Sequence, residues 1–142
     1  MDILAIESSC DDTAVAIVRD GREVLASEVF SQTKRHEIFG GVVPEVASRC
    51  HLEAIAGLAK VTLEESGLKK ENLSAVAVTY APGLIGSLLV GVSFAKGISL
   101  ALDLPLIAVH HLKSHVAANY ISNKNLKPPF ICLIASGGHT NI

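Results

Sequence analysis

The chain has 142 residues, of which 49% are hydrophobic and 18% charged, with a net charge of -2. That balance excludes a disordered chain, and the charge excludes a strongly basic nucleic-acid footprint on this stretch alone. The length suits a domain with a core of its own, and the three cysteines, Cys10, Cys50 and Cys132, lie far apart without a CxxC pair. Such spacing fits a reducing, cytoplasmic compartment better than a disulfide framework.

No secretory leader is expected, because Asp2 and Glu7 interrupt the N-terminus. Residues 2–8 form an apolar run of strand length, and residues 13–18 form another. The turn-forming Ser8-Ser9-Cys10-Asp11-Asp12 between them predicts a hairpin. Asp20-Gly21 is a second turn, leading into a third strand over 23–30. Residues 32–43 read as a loop carrying His36 and Gly40-Gly41. Pro44 then opens a helix with Glu45 in its first turn, and Gly67 stops it. Residues 69–72 are a polar connector, and 74–80 alternate as a fourth strand. A second long helix follows Pro82-Gly83. Its apolar stretch, 81–95, ends at Lys96, too short for a membrane span and right for a buried helix. A fifth strand covers 106–109, a helix begins near His110, and a last strand is expected over 130–135.

In sum this is β-β-β-α-β-α-β-α and one more strand: an α/β, mixed five-stranded sheet with helices on both faces. That layout is ribonuclease-H-like, one half of the actin, sugar-kinase and heat-shock chaperone ATPases. Lys127-Pro128-Pro129 is a stiff connector, so a first domain is expected over 1–127 and the start of a second over 128–142.

Several stretches could carry chemistry. His111 and His115 fall one helical turn apart, ~6 Å along the axis, and two imidazoles so placed can share a divalent metal. The pair needs a further ligand, and ordinary surface histidines have the same spacing. His110 points elsewhere, as a junction residue. Gly83, Ser87, Gly91, Ala95 and Ser99 recur every four residues, giving a stripe of small side chains that lets a neighbour approach closely. That neighbour is either another molecule's helix or the chain's own sheet. The first turn offers Ser9 and Asp11 as phosphate-side or metal-side groups, as the corresponding turn does in actin-like ATPases. Ser136-Gly137-Gly138-His139-Thr140 lets backbone amides approach a ligand. Cys10 is no nucleophile candidate, since Asp11 and Asp12 would raise its pKa. Zincin chemistry fails because Leu112 stands where the general-base Glu would follow the first His.

Taken in order, Ile6-Glu7-Ser8-Ser9-Cys10-Asp11-Asp12-Thr13, Gly40-Gly41-Val42-Val43-Pro44-Glu45, Pro82-Gly83-Leu84, Lys96-Gly97, Asp103-Leu104-Pro105, His111, His115 and Ser136-Gly137-Gly138-His139-Thr140 resemble the TsaD family. These are tRNA N6-adenosine threonylcarbamoyltransferases, formerly labelled O-sialoglycoprotein endopeptidases (the glycoprotease family). A smaller, inert paralogue shares the layout but lacks the histidine pair. The family usually reads His-x-Glu-Gly-His, and Lys113 and Ser114 depart from it.

The resemblance implies a metal-dependent, cytoplasmic acyltransferase of tRNA modification. It would move a threonylcarbamoyl group from threonylcarbamoyl-adenylate to the exocyclic amine of the adenosine beside the tRNA anticodon. His111 and His115 would ligate one divalent metal, iron in first place and zinc in second. Ile134, Ala135, Ser136, Gly137 and Gly138 would line the substrate, threonylcarbamoyl-adenylate or ATP being the nucleotide ligand. A third ligand, an aspartate, would lie beyond Ile142 in a second domain, so this stretch alone is expected to be inactive. Expected partners are the smaller paralogue, other proteins of the pathway and tRNA through the full assembly, with a homodimer through helix 83–99 as an option and no membrane. The alternative is a non-catalytic partner-binding or ATPase-like module that associates through that helix.

Overall fold

The structure, a computed structural model, describes residues 1–136 and 139–141, with side chains through Ala135. Its centre is a five-stranded mixed sheet in the order β3-β2-β1-β4-β5. The strands are β1 (Asp2–Glu7), β2 (Asp12–Arg19), β3 (Glu23–Ser31), β4 (Ala75–Ala81) and β5 (Leu106–His110). The first three form the expected antiparallel meander, and β4 and β5 add parallel to β1. Asp20 and Gly21 both take positive φ between β2 and β3, a conformation that Gly accepts freely and Asp tolerates.

Side-chain alternation assigns the two faces. Leu4, Ile6, Val15, Ile17, Val76 and Val78 point to one side and are buried there with Ile55, Ala59 and Ala95. Those partners come from α2 (Pro44–Glu65) and α3 (Ile85–Leu102), which lie side by side on this face. Val15 and Ile17 are wholly buried, each contributing ~2 kcal/mol of apolar burial. The opposite face carries small residues, Ala5, Ala14, Ala16 and Ala77, and meets Ser114 of α4 (His111–Ser122). Helices thus approach both faces, unequally.

Two segments differ from the sequence reading. The loop over 32–43 contains a short helix, α1 (Thr33–Glu37), pinned by buried His36. His36 Nδ1 accepts the Val43 amide at 3.3 Å, while Nε2 faces Gln32 Oε1 at 3.1 Å. Five residues are too few to print a helical period in a sequence. The final strand is shorter than 130–135: β6 (Ile134–Ser136) pairs antiparallel with β7 (His139–Asn141) in a ribbon separate from the main sheet.

The small-residue stripe of α3 faces inward. A Cβ on Gly91 would meet Ser8 Oγ at about 2.3 Å, and one on Gly83 would meet the Ser9 carbonyl oxygen at about 2.4 Å. Ser87 and Ala95 are buried, and Ser99 donates to the Leu104 carbonyl at 2.6 Å. The close neighbour is therefore the chain's own first turn, where Ser8 and Ser9 continue from the end of β1. By length and composition α3 could cross a membrane, but it lies along the core with Ser87, Leu88, Gly91 and Ala95 buried.

Candidate metal centre

Strands β1, β4 and β5 run parallel and end together, and parallel sheets gather ligand groups at such carboxyl ends. There Glu7 closes β1, Thr79 sits near the end of β4, and β5 delivers His110 directly into α4. His111 is the first residue of α4 and His115 follows one turn later. Their Nε2 atoms face each other at 3.1 Å, with ring planes at 86°.

Two ligands on one tetrahedral zinc, with bonds of 2.0–2.1 Å, lie about 3.3 Å apart. The observed separation is within a few tenths of an ångström of that, so the imidazole pair fits a shared divalent ion. Among the described residues no third His, Cys, Asp or Glu joins them as a ligand.

Other groups surround His111. Its Nδ1 lies 3.2 Å from both Glu7 Oε2 and Ser9 Oγ. Thr79 donates its hydroxyl to Glu7 Oε2 at 2.7 Å, and the Ser9 amide donates to Glu7 Oε1. Burial works to raise the Glu7 pKa, but the hydrogen bonds from Ser9, Thr79 and His111 outweigh it and hold the carboxyl below its usual 4.5. Glu7 and His111 are each about 31% exposed, which leaves the centre open to solvent.

The first turn is fastened from several sides. Leu84 donates its amide to the Ser9 carbonyl at 2.8 Å, with Gly83 packed against that carbonyl. Wholly buried His51 accepts the Thr13 hydroxyl at Nδ1, 2.7 Å, and donates from Nε2 to the Cys10 carbonyl at 2.9 Å. Burial, followed by Asp11, raises the Cys10 thiol above its ordinary value, in line with its dismissal as a nucleophile.

Ser9, His111 and His115 thus come together. Asp11 does not join them: it lines a separate surface cavity with Thr33, His36, Glu37 and Gly41. Ile134 and Ala135 lie on the separate ribbon, and no hydrogen bond links their described atoms to the histidine pair. Only the backbone of Ser136 is described, and Gly137 and Gly138 lie outside the described residues. His110 turns aside as expected, edge-on to Tyr80 at 6.3 Å, and its buried Nδ1 has no partner among the described residues. Lys113 is exposed, and Ser114 Oγ donates to the His111 carbonyl at 2.6 Å, so neither departure competes with the imidazole pair. Sequence reasoning missed Glu7 and Thr79 as site residues. The available signal was a carboxylate closing an apolar strand.

This mixed sheet, with three parallel strand ends gathered beside a histidine-bearing helix, is that of the ribonuclease-H-like, actin-like fold. Solved structures agree on the fold. One titled "YeaZ from Pseudomonas aeruginosa" superposes with a TM-score of 0.59 at 22% identity, over 78% of this chain and 45% of that one. A second from Pseudomonas aeruginosa, titled as an uncharacterized protein with similarity to peptidase YEAZ, gives 0.65 at 22% identity, over 87% and 49%. The family profile described as "TsaD: tRNA N6-adenosine threonylcarbamoyltransferase" matches residues 23–142, and the chain belongs to that family.

Proteins named tRNA N6-adenosine threonylcarbamoyltransferase share much of its sequence. The one from Clostridium perfringens (strain SM101 / Type A) is 56% identical over 138 residues, covering 97% of this chain. That from Clostridium botulinum (strain Hall / ATCC 3502 / NCTC 13319 / Type A) is 54% identical over all 142. The chain spans 41% of the first relative and 42% of the second.

Proposed function

We propose that this chain supplies the metal-binding part of a cytoplasmic tRNA threonylcarbamoyltransferase, with His111 and His115 as ligands to one divalent ion, iron or zinc. The observation that carries the reading is the convergence of the two Nε2 atoms at 3.1 Å, in a chain of this family. When bound, the ion would polarise and orient the carbamoyl end of threonylcarbamoyl-adenylate as a Lewis acid. This chain's residues would hold and aim the imidazoles, and the Ser9 hydroxyl and first-turn amides would face the nucleotide. Residues 134–138 would line the same substrate. The acceptor would be the exocyclic amine of the adenosine beside the anticodon, with tRNA bound through an assembly that includes the smaller paralogue. With the chain spanning 41% of its relative, threonylcarbamoyl transfer is not expected from the 142 residues alone.

The test is a Zn2+ titration, by calorimetry, of the chain and of its His111→Ala/His115→Ala variant. Loss of binding in the variant supports the reading, and unchanged binding rejects the pair as ligands.

A second reading, association through helix 83–99, has support of its own on the outer face of α3. Ile85, Leu89 and Leu100 are 75%, 57% and 87% exposed there, at spacings that share one side of a helix. Leu89→Asp would lower the sedimentation mass if that face joins two chains, and an unchanged mass removes this support.

A further inference from the structure

Glu7 has both carboxylate oxygens engaged. Oε1 accepts the Ser9 amide, while Oε2 accepts the Thr79 hydroxyl at 2.7 Å and faces His111 Nδ1 at 3.2 Å. A carboxylate only accepts, so the proton in the last contact belongs to Nδ1. A neutral imidazole protonated there keeps its lone pair on Nε2, the atom that faces His115 Nε2. The Ser9 hydroxyl, 3.2 Å from the same Nδ1, can donate or accept and does not choose between tautomers.

Resting on the reading that this pair holds a divalent cation, we propose that Glu7 is the positioning residue of the centre: it locks His111 as the Nδ1–H tautomer and thereby aims the Nε2 lone pair at the cation. Thr79 keeps the carboxylate in register by donating to the same oxygen. In the metal-free chain His115 can donate its Nε2–H to that lone pair; to serve as a neutral ligand, His115 would carry that proton on Nδ1 instead, leaving its own Nε2 lone pair free. Carboxylate–imidazole–metal relays of this kind set both ring orientation and ligand basicity.

The substitution Glu7→Gln reverses the instruction without changing shape. The backbone N–H of Ser9 requires the amide oxygen to stay at the Oε1 position, so the NH2 group faces Thr79 and His111. The Thr79 hydroxyl can rotate to accept. His111 can accept only by moving its proton to Nε2, which blocks the side facing His115.

The experiment is 15N-detected NMR of the imidazole tautomers in the metal-free 142-residue chain, paired with Zn2+ titration. The unsubstituted chain is expected to show His111 as the Nδ1–H tautomer, and Glu7→Gln as Nε2–H with Zn2+ affinity about 10–100-fold lower. An Nε2–H tautomer in the unsubstituted chain overturns the proposal without any variant having to fold. So does a folded Glu7→Gln protein whose tautomer is unchanged. Zn2+ binding that survives His111→Ala/His115→Ala defeats the metal reading instead, and the tautomer spectra still decide what Glu7 does.

Discussion

Gly91→Ala tests the inward packing of α3 directly. The new Cβ would sit about 2.3 Å from Ser8 Oγ, 3.3 Å from Ser8 Cβ and 3.6 Å from Val78 Cγ2. The first distance is impossible, so Ser8 must turn its hydroxyl away from the Ser87 carbonyl, which it now meets at 2.8 Å. Ser8 is wholly buried, and its displaced hydroxyl finds no water. Overpacking costs ~1–3 kcal/mol and a buried unpaired hydroxyl a further ~1–3, against a gain of ~1 for replacing a helical Gly by Ala. A net loss of about 3 kcal/mol follows. Gly97→Ala, in the same helix with nothing within 4 Å of its Cβ, should instead gain ~1 kcal/mol. Urea denaturation of both variants reads the difference, with a shared m-value confirming an unchanged transition. Adding Ser8→Ala to Gly91→Ala should recover part of the loss, because the closest clash disappears and only the 3.3 Å carbon contact remains. Equal stability of the Gly91 and Gly97 variants would refute the packing argument and return the stripe to the outside of the molecule.

Thr13→Val leaves His51 Nδ1 unpaired in the core and should cost ~1–3 kcal/mol by urea denaturation; no loss would mean the first turn does not depend on that contact. For Asp2, the hydrogen bond from Arg19 holds the carboxyl below its ordinary 3.8. That contribution is present above pH 3.8 and is lost as pH falls through the lower folded value, so Asp2→Asn should show a flatter acid limb; identical limbs refute it. Removing residues 128–142 takes away the edge-on Tyr120–Phe130 contact at 5.7 Å and the Asn119–Cys132 contact at 3.6 Å. The thermal transition should record a loss near ~1 kcal/mol, whereas several kcal/mol would move the domain boundary beyond Lys127.

What could be read from the chain follows the distance over which each feature is encoded. The meander was legible because Leu4 and Ile6, or Val15 and Ile17, alternate within one strand. The histidine pair was legible because a single helical turn fixes the spacing of His111 and His115. The stripe on α3 was seen but not its target. Small residues every fourth position say that something comes close, and only the parallel placement of β1 beside β4 says that it is Ser8 and Ser9. Glu7 and Thr79 escaped for the same reason. They are 72 residues apart, and Glu7 and His111 are 104 apart, so no local pattern joins them.

The three are united by register. Ile6 pairs with Val78, which sets Glu7 level with Thr79, and Thr79 pairs with Val109, which carries β5 into the first turn of α4. Shifting β1 by one residue would turn Glu7 toward α2 and α3, where Leu4 and Ile6 now lie in an apolar core. An unpaired carboxylate there would cost several kcal/mol. The burial of Leu4 and Ile6 that stabilises the sheet thus also holds Glu7 beneath His111. The orientation of the imidazole pair is therefore determined by the core, two strands away from the helix on which that pair sits.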